Sequence, residues 1–335
     1  MVAPSTNTSL VDVSSKYSGP CRFLFKNELE QPSGSFKLRG MSKLVGSAVE
    51  KAKLESSSSV HVYTSSGGNA GIAAAYASKH HNVPCTVVLP VTSKQAALDA
   101  LTLLGATVVI HGAHWGEADT YLKEVVMKKD QEIQPDTLAI YCHPFDNEIL
   151  WEGHADIVDD VASQLKEMNV SPSNVKGIVC SCGGGGLYNG IVTGLRRNNL
   201  SEVPVLVLET NQTPAFYQSV AAGKPIVLPK VETLSTTLGA PYICEKTWEI
   251  FQSHPTFVEI MDDLDAVQGT IDYYEDFGAL VEPACGITVA AANKKQELLS
   301  VFGELKPDDV IVFIICGGSG ILSELLETYR GLVAK

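Results

Sequence analysis

Positive charge is scarce in this chain. Only 25 Lys and Arg stand against 38 Asp and Glu, a formal charge of -13, and such a field repels phosphate backbones and anionic lipid surfaces. Nucleic acid and membranes are therefore not expected as partners. No stretch approaches the roughly 20 consecutive apolar residues of a spanning helix. Residues 1–17 show neither the apolar core of a secretory leader nor an Arg-rich amphipathic pattern, so nothing directs the chain to another compartment. Paired cysteine spacing is also missing. Cys21, Cys85, Cys142, Cys180, Cys182, Cys244, Cys285 and Cys316 are scattered; Cys180 and Cys182 lie close but have no second pair and no His at ligand spacing, which argues against a disulfide framework and against zinc. Several sit in apolar runs, where a free thiol acts as a small hydrophobe, and the cytosol is the expected compartment. There is no repeat of 20 to 50 residues, and the short Ser-rich tract at 56–59 reads as a loop.

What is present is a chain of 335 residues, more than one core usually serves, so two domains are expected. Short apolar or β-branched runs at 60–63, 85–89, 108–110, 177–180, 205–208 and 310–315 alternate with helix-period segments. That alternation predicts an α/β fold with mainly parallel sheets. Glycine turns mark the corner between strand and helix at 65–71, at 181–186, and at 316–320, the last leading into a helix from Ile321 onward. In open α/β sheets ligands gather beyond the C-terminal strand ends, where helix N-termini present free N–H groups. Corners of one kind therefore point to one anion-binding site.

The run Gly183, Gly184, Gly185 and Gly186 removes every Cβ from such a corner, so successive amides can wrap a phosphate while the helix dipole adds attraction. No Lys-Ser or Lys-Thr pair follows, and there is no dinucleotide spacing with an acidic partner, so the turn indicates phosphate without indicating a nucleotide. Lys37 sits in Ser33-Gly34-Ser35-Phe36-Lys37-Leu38-Arg39-Gly40, a polar turn entering a helical stretch. No Ser-His-Asp order or metal-ligand helix motif competes.

These segments resemble the fold-type II pyridoxal-phosphate (PLP) enzymes, which share the tryptophan synthase β-like fold. The resemblance rests on the Lys37 motif, Ser65-Ser66-Gly67-Gly68-Asn69-Ala70-Gly71, the tetraglycine turn, Glu282-Pro283-Ala284-Cys285-Gly286 and Cys316-Gly317-Gly318-Ser319, in family order. With His143-Pro144-Phe145-Asp146-Asn147 and Trp151-Glu152-Gly153-His154, the chain is most similar to catabolic L-serine/L-threonine dehydratases of the cytosol, particularly fungal ones. The resemblance implies two open, twisted, mostly parallel sheets with helices on both faces. It implies a small domain, 31–147, inserted into a large one, 1–30 plus 148–335, with PLP in the cleft, and a homodimer. Lys37 would form the Schiff base and carry the Cα proton; Phe36 would lie against the cofactor ring. Asn69, Gly183, Gly184, Gly185, Gly186, Leu187 and Cys316 would hold PLP, and Ser66, Gly67, Asn69 and Ala70 the substrate. Gly183, Glu209, Thr213, Leu238 and Ala240 match a monovalent-cation site, which carbonyl-rich oxygen ligands fit to potassium. His143, Glu152, His154 and Glu282 are expected to be structural or to support the residues that touch the cofactor and substrate.

The implied reaction is β-elimination by an ammonia-lyase: L-serine to pyruvate and ammonia, L-threonine to 2-oxobutyrate and ammonia. A thiol facing the pyridine nitrogen makes a weaker electron sink than an acid partner would, which suits elimination. Related racemases carry a serine at the position of Gly67 as second proton carrier, so its absence favours dehydration. Thr8-Ser9-Leu10 replaces the family's Thr-Pro-Leu, and the chain ends soon after the last glycine corner, so isoleucine feedback is not expected. The alternatives are a β-replacing cysteine-type synthase, a serine racemase, and a non-catalytic PLP-binding protein.

Overall fold

A computed structural model describes residues 4–55, 59–320 and 323–334. The loop expected at 56–59 lies, except for Ser59, outside the described residues, as does Ile321. The strands are β1 (Leu10–Asp12), β2 (Arg22–Asn27), β3 (Val60–Thr64), β4 (Cys85–Leu89), β5 (Thr107–Ile110), β6 (Leu138–Tyr141), β7 (Val175–Ser181), β8 (Val205–Thr210), β9 (Thr256–Met261) and β10 (Val310–Ile315). They form two sheets, in the orders β5-β4-β3-β6 and β1-β2-β10-β7-β8-β9. Every pairing is parallel except β1 with β2. The expected α/β class with two mostly parallel sheets is what the chain adopts.

The chain divides into two compact units, one comprising Gln31–Gly153 with the residues up to Thr6, the other Asn7–Glu30 with His154–Lys335. The first carries the four-stranded sheet. Its helices are α1 (Lys37–Leu54), α2 (Asn69–His81), α3 (Gln95–Leu103), α4 (Trp115–Tyr121), α5 (Met127–Ile133) and α6 (Glu148–His154). Strand β4, Cys-Thr-Val-Val-Leu, is buried throughout, as strands covered on both faces must be. Ala73, Ala74, Ala75 and Ala77 let α2 settle against α1 and the strands. The chain's return is fixed to α1 at Gly153, where a Cβ would come 2.6 Å from the Arg39 carbonyl oxygen.

The second unit holds α7 (Asp156–Glu167), α8 (Gly186–Arg197), α9 (Ala215–Ala222), α10 (Glu245–Phe251), α11 (Asp263–Phe277), α12 (Pro283–Asn293) and α13 (Ser323–Val333). Strand β10, Val-Ile-Val-Phe-Ile-Ile, is wholly buried between β2 and β7. Helix α11 starts with a capping box in which the Asp262 side chain accepts from the Leu264 N–H and the Asp265 carboxylate from the Asp262 N–H. The sequence pattern missed β1, β2, β6 and β9. In β2 the charged Arg22 and Lys26 break the apolar run, yet Lys26 is fully buried, donating to the Thr8 carbonyl at 2.7 Å and to Gln164 Oε1 at 3.0 Å.

All eight cysteines are free and buried, and no described helix is long and apolar enough to cross a membrane.

Candidate active site

In the first unit the chemistry collects at the C-terminal ends of the paired strands β3 and β6. Lys37 is the first residue of α1, following Phe36. Its Nζ donates to the Pro144 carbonyl at 2.6 Å and lies 4.9 Å from the Phe36 ring centroid. Pro144 belongs to the turn after β6, and that turn is tied to the one after β3 because Thr64 Oγ1 donates to the Cys142 carbonyl at 3.0 Å. Trp151 Nε1 donates to the Phe145 carbonyl at 2.7 Å, which joins the second of the expected motif pairs.

The turn at 65–68 then enters α2 at Asn69. Its N-cap is Gly68, with no side-chain cap, so neither Ser66 nor Asn69 caps the helix; the Ser66 hydroxyl instead accepts the Gly68 N–H at 3.3 Å. Ala70 is buried in the first turn. A Cβ at Gly67 would meet Leu89 Cδ2 at 3.2 Å and Ala97 Cβ at 3.8 Å, whereas one at Gly68 would meet nothing within 4 Å. Beneath the turn, Ser65 Oγ donates to Asp119 Oδ1 at 2.7 Å, Tyr141 OH donates to the same oxygen, and Lys123 Nζ lies 2.6 Å from Asp119 Oδ2. Burial raises the Asp119 carboxyl, but the Lys123, Tyr141 and Ser65 hydrogen bonds outweigh it and hold the group ionised below its ordinary value. His143 Nδ1 accepts the Asp146 N–H at 2.8 Å, which assigns the neutral ring's proton to Nε2. Burial, with help from Lys123 and Lys37 and against Asp119, pushes its pKa down to about 4.

In the second unit the tetraglycine run forms the corner from β7 to α8. Gly185 has φ +98° and is the N-cap, without any side-chain cap. The Asn189 N–H bonds the Gly185 carbonyl at 2.9 Å, so the helix itself gives no partner to the amides of Gly186, Leu187 and Tyr188. Cys316 directly follows the neighbouring strand β10, buried, with Sγ 3.8 Å from Ser181 Oγ. Cys285 lies beside it, its thiol pushed well up by burial and by Cys316. Glu282 secures the following loop: its carboxylate accepts the Gly320 N–H and the Thr237 hydroxyl, each at 2.8 Å.

The proposed cation ligands also gather in this unit. Thr213 Oγ1 donates to the Leu238 carbonyl at 3.3 Å, the Ala240 N–H to the same oxygen at 2.7 Å, and a Cβ on Gly183 would stand 3.2 Å from it. Glu209, fully buried at the end of β8, accepts the amides of Phe216 at 2.9 Å and Tyr217 at 2.7 Å, so it serves the start of α9. Burial raises its pKa to about 8 against the pull of those amides. No group of three or more His, Cys, Asp or Glu suited to a metal ion occurs among the described residues.

Sequence reasoning overlooked Asp119, Tyr141, Thr247 and Asn189, and left Cys244 as one more scattered thiol. The partners that tie them into the site, Ser65 and Tyr141 for Asp119, Gly184 for Cys244 and Asn189 for Thr247, lie 22 to 60 residues away, where no local pattern signals them.

Residues 4–317 match the family described as pyridoxal-phosphate dependent enzyme. The chain belongs to that family. Among its relatives, an L-serine dehydratase of Saccharomyces cerevisiae (strain AWRI1631) is 42% identical over 299 residues, 89% of this chain and 88% of that protein. A catabolic L-serine/threonine dehydratase of Saccharomyces cerevisiae (strain ATCC 204508 / S288c) is 40% identical over 317 residues, 92% and 87% of the two chains. The crystal structure of a fungal L-serine ammonia-lyase from Rhizomucor miehei superposes with a TM-score of 0.86 at 26% identity, covering 98% of this chain and 99% of that one.

The donors fit the family's cofactor. The uncapped start of α8 behind residues without side chains suits a phosphate monoester, and the Lys37 amine held by a carbonyl suits a reactive aldehyde.

Proposed function

We propose that the chain is a PLP-dependent L-serine/L-threonine dehydratase that converts serine to pyruvate and ammonia and threonine to 2-oxobutyrate and ammonia. The observation that carries this reading is 40 to 42% identity, along about nine tenths of the chain, to yeast proteins named for that activity. Lys37, Phe36, Asn69, residues 183–186, Leu187 and Cys316 would hold the cofactor, which when bound supplies an electron sink for charge developing at the substrate Cα.

The chain's own groups then divide the work. Ser66 and the start of α2, with Asn69 and Ala70, bind the substrate carboxylate at a positive helix end. Lys37 Nζ takes the proton from Cα, and its hydrogen bond to Pro144 orients it beforehand. Gly67 offers no hydroxyl for delivering a proton to the opposite face, which favours elimination over inversion. The cleanest test is a panel of amino acids with coupled keto-acid and ammonia detection. Serine and threonine should give both products in equal amounts; exchange of a thiol into serine without keto acid would instead support a synthase.

Finer features belong to the same reading. A potassium ion is proposed at Gly183, Glu209, Thr213, Leu238 and Ala240, to be checked by activity in KCl against NaCl. A small domain, 31–147, and a large domain, 1–30 plus 148–335, are proposed; the compact units support this division with the boundary after Gly153 and the residues up to Thr6 in the first unit. A homodimer in the cytosol is proposed, the compartment resting on eight buried free thiols; light scattering measures the assembly.

A further inference from the structure

Behind the glycine turn lies a closed polar ring that the reaction does not use. The Gly184 carbonyl accepts from Cys244 twice, from its N–H at 3.0 Å and from its Sγ at 2.9 Å. Asn189 Nδ2 donates to Cys244 Sγ at 3.6 Å, and Thr247 Oγ1 donates to Asn189 Oδ1 at 2.9 Å. Cys244, Asn189 and Thr247 are all buried. The ring is also packed against the turn, because a Cβ on Gly185 would fall 1.9 Å from Thr247 Oγ1.

One peptide plane transmits this. The structure has no cis peptide among the described residues, and in a trans peptide the C=O and the next N–H point in opposite directions. With the Gly184 carbonyl fixed on Cys244, the Gly185 N–H is turned the other way; the Cys182 thiol donates to the preceding Gly183 carbonyl at 3.3 Å. Two buried thiols thus hold successive carbonyls of the turn, Cys182 that of Gly183 and Cys244 that of Gly184. With its peptides held, the amides of Gly186 and Leu187 are left as fixed donors.

We propose that Cys244, with Thr247 and Asn189, is a positioning device that sets the affinity of this turn for the phosphate of the cofactor. The proposal rests on the reading of residues 183–187 as the phosphate cradle. A loop free to rotate its peptides must be ordered on binding, whereas a gripped one presents its donors at once.

The test compares PLP with pyridoxal, which lacks the phosphate, by absorbance titration of dialysed protein. Wild type should bind PLP far more tightly than pyridoxal. Cys244→Ala and Thr247→Val should each weaken PLP roughly threefold to tenfold, about one hydrogen bond's worth, while pyridoxal affinity stays within twofold. Cys244→Ser and Thr247→Ser, which keep a donor, should restore wild-type PLP binding. If Cys244→Ala does not fold, the Thr247→Val and Thr247→Ser pair decides alone. Unchanged PLP affinity in the folded variants, or equal weakening of both ligands, overturns the proposal. A wild type that binds the two ligands equally overturns the cradle reading itself, and the proposal with it.

Discussion

Two glycine turns at strand-to-helix corners look alike in sequence and are held in opposite ways. The turn at 65–68 keeps ordinary backbone angles at its N-cap, Gly68 at φ -98°; it is held by side chains, Ser65 on Asp119 and Ser66 on its own backbone, and a Cβ at Gly68 would enter empty space. The turn at 182–185 is gripped through carbonyls, carries the left-handed Gly185, and has no room there for a methyl group. The lesson is that Gly68 leaves space in the first turn whereas Gly185 allows contact in the second. Space can receive a substrate; contact fixes the donors of a cradle.

The hardest test of the first turn is the amine beside it. Lys37→Ala should abolish turnover while the melting temperature shifts little, since a hydrogen bond such as that to the Pro144 carbonyl contributes only about 1 kcal/mol net; appreciable keto-acid production by that variant would falsify the assignment. Gly185→Ala is expected to be the most damaging change to the fold, costing about 3 kcal/mol or more from a left-handed alanine and a collision with Thr247. Denaturant unfolding measures it, and a native midpoint would refute the packing account. Gly68→Ala should leave stability within about 0.5 kcal/mol yet raise KM for serine severalfold, so an unchanged KM would show that the empty space is not used.

Gly67→Ser is the subtler probe. The new Cβ presses on Leu89, which must yield by a few tenths of an ångström. A rise in D-serine by chiral chromatography is expected to be small, and substantial D-serine from the wild type would mean another group carries the second proton.

The mildest expectation concerns acid. His143 in one unit and His254 in the other are both pushed down to about 4, chiefly by burial, from an ordinary value near 6.5. Between those values the unfolded chain binds more protons than the folded one, so stability falls as pH drops from about 6.5 to about 4. Unfolding midpoints at pH 7 and pH 5 should show that loss, and His254→Gln should reduce it.

How much of this was written legibly in the sequence follows from the same contrast. A missing Cβ is visible in one dimension, so the glycine corners and the Lys37 motif were readable, as were strands such as β4 and β10 that are apolar at nearly every position. Strand β2 was not, because Lys26 is accommodated through partners that the fold delivers from elsewhere, among them Asn7, Thr8, Gln164 and Asp160. Cys244 and Asp119 escaped for the same reason: each acts through a partner more than 50 residues away. Local conformation is encoded locally, whereas the support behind a turn is a property of the assembled chain.

The buried thiols have a consequence for anyone handling the protein. Cys85 and Cys142 belong to the first unit, and Cys21, Cys180, Cys182, Cys244, Cys285 and Cys316 to the second. Burial pushes the Cys85 thiol up to about 11 and that of Cys21 up to about 12, so at neutral pH neither offers much thiolate to an alkylating reagent until its surroundings open. A maleimide pulse read by mass spectrometry therefore works as a clock with two dials, one for each unit, and shows which of them breathes first without any engineered residue.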